Sequence, residues 1–188
     1  VGPIYGQEIG LTAAQIGSFL ATVLVGGAIA QFPVGWLADK YDRRWVLIGL
    51  SVAGVLACGS LVATDSNNHT QIFLIAALFG ASIYPIFSVS MAHANDFAHA
   101  SKMVEINASL MFLYGLGAIF SPLIASALIE NFGPAALFAF ISIAHIFLVV
   151  FGLLRMSTRP TEGEKTAYTY VPRTSFTVAK LLKRPKSR

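Results

Sequence analysis

Two apolar runs, residues 16–38 and the stretch that begins at Trp45, are joined by six residues only. Each run can cross a bilayer as a helix, which takes roughly 20 residues. Five of the six joining residues are charged: Asp39, Lys40, Asp42, Arg43 and Arg44. Placing them in hydrocarbon would be prohibitive. The turn Gly35-Trp36-Leu37-Ala38-Asp39-Lys40-Tyr41-Asp42-Arg43-Arg44 therefore lies at a membrane surface, with one helix running down to it and another leaving.

Composition supports that reading. Only 12% of the 188 residues are charged and 55% are hydrophobic, whereas a soluble domain carries about 25% charged residues. Mean hydropathy is +0.68. The class is a polytopic α-helical membrane protein, with the lipid bilayer as its first partner. A pI near 9.4 raises the question of nucleic acid. However, nine of the thirteen Lys and Arg residues fall within 155–188, as on the retained cytoplasmic face of a membrane protein, so no nucleic-acid partner is expected. The one cysteine, Cys58, lies inside a span and can make neither an internal disulfide nor a metal motif. It reads as a small buried residue. The chain has no initiating Met or charged leader, and residues 1–11 read as the end of an extramembrane loop. A fragment or a processed piece is expected.

Apolar runs and turn signals give an all-α bundle of five spans, at about 12–38, 45–63, 71–92, 106–129 and 135–154, within a membrane domain 1–154. Residues 155–188 form a basic tail. Thr12-x-x-Gln15 fits a capping box, and Asn131-Phe132-Gly133-Pro134 closes the fourth span. Five crossings alternate sides, so the 39–44 turn, the 93–105 connection and the tail share one side. All thirteen basic residues fall there, which makes that side the cytoplasm.

Along the first span Gly27, Gln31, Gly35 and Asp39 recur every fourth residue and share a face. The two glycines suit close helix approach, and Gln31 suits an interhelical hydrogen bond. Asp39 emerges where a carboxylate can accept from the N-terminus of a neighbouring helix.

The pattern Gly-x-x-x-Asp-Lys/Arg-x-Gly-Arg/Lys-Arg/Lys is the loop signature of the major facilitator superfamily. Residues 35–44 resemble it at every position but one, since Asp42 stands where glycine is common. With Tyr170-Val171-Pro172-Arg173-Thr174, the Asp-Arg-Arg form looks like the bacterial YcaD-like branch. The resemblance covers about residues 12–154. It implies a transporter of two six-helix halves in which these spans are helices eight to twelve of the C-terminal half. An N-terminal half of the same protein, a bacterial inner membrane and a cytoplasmic tail are implied with it. In the family the motif latches the halves together on the cytoplasmic side and breaks on inward opening. Carried over, Asp39 is the latch acid, Gly35 the contact glycine, and Lys40, Arg43 and Arg44 the supporting charges. Asp42 removes the tight glycine turn and offers an ion pair to Arg43 or Arg44. Without the resemblance, the same charges read simply as topogenic.

Substrate sites in such proteins lie near the bilayer midplane, often at interrupted helices. Pro33, Pro85 and Pro122 each interrupt a span. The family's tenth and eleventh helices help line the cavity, which makes Ser82, Tyr84 and Tyr114 the cavity candidates; interhelical bonding or packing is the alternative for all three. Gly117, Ser121 and Ala125 form a small-residue stripe beside Pro122 and read as a packing seam. The stripe only faintly resembles the Gly-Pro motif of drug antiporters. His145 sits mid-span, where a histidine can relay protons, although a structural role fits a peripheral twelfth helix better. His93, Asn95, Asp96 and His99 have ligand-like spacing, but a solvated loop is the simpler reading. No metal or cofactor is expected.

No Asp or Glu lies inside a span, so the coupling ion is not legible. The leading function is secondary transport of a small solute by alternating access. A non-transporting sensor or receptor of the same fold is the alternative. A membrane enzyme comes last, because no Gly-x-Ser-x-Gly, His-Glu-x-x-His or paired carboxylate is present at membrane depth.

Overall fold

The computed structural model describes residues 2–64 and 68–158, with Ala100 as backbone alone. Residues 65–67 and the basic tail from 159 onward, including the 170–174 stretch, lie outside the described residues. The order is α1 (Gly2–Glu8), α2 (Ala13–Lys40), α3 (Arg43–Ala63), α4 (His69–Asp96), a 3-10 turn (Ala100–Lys102), α5 (Met103–Phe132) and α6 (Ala135–Thr158). Five of these helices, α2 to α6, are long and apolar enough to cross a membrane.

The helix ends follow local chemistry. Thr12 caps α2 through the reciprocal box with Gln15, the Gln15 side chain accepting from the Thr12 backbone N–H at 2.8 Å. Asp42 caps α3 and Asn68 caps α4. Gly133, at φ +83°, ends α5 in a backbone conformation that costs glycine nothing. Most helices overrun their apolar stretch on the basic side: α2 continues to Lys40, α4 to Asp96 and α6 to Thr158, while α3 starts at Arg43 and α5 at Met103. Hydropathy marks where side chains leave hydrocarbon. The hydrogen-bond ladder continues past that point because polar residues can still be helical.

Lipid gives neighbouring helices no hydrophobic reason to associate, so close packing has to do it. The tightest contact is α2 against α4. Its buried stripe on α2 is Ile16, Phe19, Val23, Gly27, Ala30, Val34 and Ala38, in steps of three and four. A Cβ at Gly26 would collide with the backbone of Ala77, and one at Gly80 with the backbone of Val23. These two glycines, rather than Gly35, set the approach. Gly27 also contributes, because the Tyr84 ring lies where its Cβ would be, whereas Gly35 meets nothing within 4 Å. An every-fourth row drifts about 40° per step on a helix of 3.6 residues per turn. Gly27 therefore lies in the seam and Gln31 at its rim, bonded to Ser88 of α4, while Asp39 has rotated out of it.

The α4 helix is the most enclosed of the five spans and α5 the least. It lies between α2 and α3, α3 packs in turn on α6, and α6 meets α5. Gly54 of α3 leaves room for the His145 ring. Of the seam expected beside Pro122, Gly117, Ser121 and Pro122 are exposed, and among the described residues only Ala125 of that stripe is buried. The stripe is present in sequence, but it points to a face that no described helix covers. Residues 2–8 are also not plain loop. They form α1, whose Tyr5 is buried edge-on to Phe138 at 4.6 Å and beside Phe19 at 6.0 Å.

Replacing Gly80 by Ala should lower stability by about 1–3 kcal/mol, the usual cost of overpacking, because two backbones must separate. Gly59→Ala, where a Cβ meets open space, should instead be neutral or gain up to about 1 kcal/mol of helix propensity. Thermal unfolding of the detergent-solubilised protein would check both; equal effects would remove the α2–α4 contact as the determinant.

Candidate functional site

The charged turn is built from three helix ends. Tyr41 and Asp42 alone separate α2 from α3, so the charges flanking them are held by helices rather than by a mobile loop. Asp42 accepts from the Arg44 backbone N–H at 3.0 Å and from the Arg44 guanidinium at 2.9 Å. The hydrogen bonds from Arg44 hold its carboxyl below the usual carboxylate range. Of the two pairings open to it, Asp42 takes Arg44. Its side chain also substitutes for the common glycine by capping, which gives the turn a fixed geometry without a left-handed residue.

Arg43 faces the other way. Its Nη2 donates to Asp39 Oδ1 at 3.1 Å. Its Nη1 donates to the Ala92 carbonyl at 3.1 Å and to Asp96 Oδ1. One guanidinium thus ties the end of α2 and the start of α3 to the end of α4. Each member of the Arg43–Asp96 pair sits at the unfavourable end of its own helix dipole, a cation at an N-terminus and an anion at a C-terminus. Pairing offsets both. Arg43 is 18% exposed, Asp96 46% and Asp39 77%. Lys40 Nζ lies over the Trp36 ring at 4.9 Å and the Tyr41 ring at 5.6 Å.

Asp96 is a member of the site that sequence reasoning misses. Its pattern groups it with His93, Asn95 and His99 in a solvated loop, but α4 continues through it. An acid four residues beyond an apolar run is the signal that points to it. Asn95 donates to Asn107 of α5 at 3.0 Å. No group of three or more His, Cys, Asp or Glu side chains converges on a metal position among the described residues.

The other expected residues are dispersed. Gln31 accepts from the Ser88 hydroxyl of α4 at 3.2 Å. Ser82 is buried and donates to its own helix at Phe79 O, 2.7 Å. Tyr84 and Tyr114 are exposed, the latter 4.9 Å from the Phe87 ring. Pro85 is buried, whereas Pro33 and Pro122 face outward. His145 is buried on α3, with its Nδ1 lacking a partner among the described residues.

Asp42→Ala should destabilise the protein by about 1 kcal/mol through loss of the cap, and Asp42→Asn by less because it retains a cap acceptor. The folded-state pKa of Asp42 is depressed, so its ionic contribution is present above the unfolded carboxylate pKa and is lost as pH falls through the folded value. The difference between wild type and Asp42→Asn should therefore vanish in acid and be constant near neutrality. Melting temperatures across pH would measure it.

The family model of the Major Facilitator Superfamily matches residues 1–187. An uncharacterized MFS-type transporter of Yersinia pestis (strain Pestoides F) is 30% identical over 169 residues, which is 90% of this chain and 42% of that protein. One of Yersinia enterocolitica is 31% identical over the same length. The uncharacterized MFS-type transporter YcaD of Salmonella arizonae is 32% identical over 151 residues, 79% of this chain and 38% of that one. The chain thus spans about two fifths of the length of the relatives it matches. With five membrane-crossing helices and a family match along almost its whole length, the chain is an integral membrane protein that belongs to the major facilitator superfamily.

Proposed function

We propose that this chain is helices eight to twelve of a bacterial inner-membrane secondary transporter that moves a small solute by alternating access. The charged turn is its cytoplasmic latch. The observation that carries the reading is the division of labour among the charges. Arg44 is held by Asp42 and Arg43 by Asp96 and the Ala92 carbonyl, while Asp39, which gives Arg43 only its Oδ1, stays 77% exposed. Its Oδ2 has no partner among the described residues. A rigid support behind an outward-facing carboxylate suits reversible docking onto the positive end of another helix, supplied by the N-terminal half of the same protein.

The solute path belongs to the face bearing Tyr84 and Tyr114, both exposed and one turn or less from the Phe87 contact that links α4 to α5. Ser82 lies behind this wall rather than on it, because its hydroxyl is already used by Phe79 O. With the turn in the cytoplasm, the tail is cytoplasmic as well.

The test needs no substrate. In the full-length protein carrying Cys58→Ser and Tyr114→Cys, Asp39→Asn should raise labelling by a membrane-impermeant thiol reagent from the cytoplasmic side about fivefold, the low end of a coupling free energy. Stability should change by no more than about 0.5 kcal/mol, as for an exposed site. Labelling unchanged by Asp39→Asn would sink the latch. No labelling from either side would take Tyr114 off the path.

A further inference from the structure

The α2 and α3 helices meet at their turn and then part, because α4 packs against both and they scarcely touch each other. The angle between them encloses an open groove of about 530 Å³ just inside the turn. Its walls are Val34, Leu37, Trp45, Val46 and Leu50, and Gly49 lies at its base. A Cβ at Gly49 would meet nothing within 4 Å, so the groove is open down to the backbone of α3. The polar lining residues, Tyr41 and Asp42, are the two residues of the turn itself and stand at the mouth. Along α2 the lining runs from Val34 to Tyr41, roughly 10 Å of helix.

These features select an occupant. A peptide strand or helix end would bring backbone polar groups into a trough whose walls are almost wholly apolar, and such burial is costly. A hydrocarbon chain has nothing to lose there. At the mouth, Asp42 is neutralised by Arg44 and offers no repulsion to an anion. Lys40 makes no ion pair with a carboxylate among the described residues and is held by the Trp36 and Tyr41 rings beside the opening. Trp and Tyr at this level mark the headgroup boundary. On the basic side of the bundle the adjoining leaflet carries anionic lipid.

We propose that the α2–α3 groove seats one acyl chain of an anionic glycerophospholipid, with its phosphate on Lys40. The site rests on the membrane placement of the turn and is independent of the latch.

Trp45 lines the groove and Trp36 lies under Lys40 beside it, so bromine on a bound acyl chain would quench Trp45 first. The full-length protein is reconstituted in phosphatidylcholine vesicles containing a minority of brominated phosphatidylglycerol or, separately, brominated phosphatidylcholine. Symmetric vesicles make the result independent of orientation. Quenching should be stronger with phosphatidylglycerol, and Gly49→Leu, which fills the groove, should abolish that excess. Lys40→Gln should cut the preference about fivefold, one basic side chain's share near an anionic surface, and Lys40→Arg should keep it. Subtracting the Gly49→Leu signal removes tryptophans elsewhere in the protein. Lys40→Gln, a surface change, keeps the test open if Gly49→Leu fails to fold.

Equal quenching by both lipids, untouched by either variant, would mean bulk lipid only and would overturn the site. No quenching by either lipid would mean that another segment of the protein covers the groove, and would overturn it equally. Loss of the excess on adding glycerol phosphate would make it a free-phosphate site instead. None of these outcomes alters the Asp39 labelling experiment, so the two readings fail separately.

Discussion

An apolar side chain gains almost nothing by leaving lipid for a neighbouring helix, so a bundle in a bilayer is held by whatever lets helices come closer than lipid can. Here that is the crossing of α2 and α4 at Gly26 and Gly80, where each glycine lies against the backbone of the opposite helix. Everything on the basic side is arranged by that contact. Because α2 and α3 both pack on α4, the end of α4 comes within reach of their turn, and Arg43 can bond Ala92 and Asp96. Because α4 occupies the middle, α2 and α3 diverge and leave a groove above their turn. One packing contact near mid-membrane therefore fixes both the electrostatics of the turn and the space beside it.

The charged turn shows how a short sequence can separate two tasks. Asp42 and Arg44 belong to the local problem of starting a helix two residues after another has ended. Arg43 belongs to the tertiary problem of registering that helix start against α4. Asp39 lends one oxygen to Arg43 and, like Lys40 on the same last turn of α2, faces outward. A glycine in place of Asp42 could make the turn but could not neutralise Arg44. The substitution exchanges backbone freedom for an ion pair, and it leaves the outward pair to whatever lies beyond this chain.

Sequence makes the one-dimensional facts legible: five spans, the side on which charge collects, the Thr12–Gln15 box, and the Gly133 stop. Each depends on residues within one helical turn or on a run of hydropathy. What stays illegible depends on which helix meets which. The row Gly27, Gln31, Gly35 and Asp39 looks like a face, but a four-residue step drifts around the helix, so only Gly27 is buried in the seam and Gln31 reaches α4 from its rim. Gly26, its immediate neighbour, lies against the Ala77 backbone and has no pattern of its own. The α5 stripe at Gly117 and Ser121 is small as its sequence says, yet small residues do not say whether a partner is present. Asp96 is hidden because hydropathy ends a span at the edge of the hydrocarbon, while helices continue into the headgroup layer.

That overrun has a functional consequence. Helices that stop at the hydrocarbon edge would leave their connections free to move independently of the bundle. Here α2, α3, α4 and the start of α5 carry their hydrogen-bond ladders into the charged layer, and the side chains there bond from one helix end to another: Arg43 to Asp39 and Asp96, Asn95 to Asn107. The basic face is thus an extension of the rigid bundle rather than a set of loops hung from it. A displacement of this bundle as a body would carry Asp39 with it without loss of aim, as the proposed latch requires.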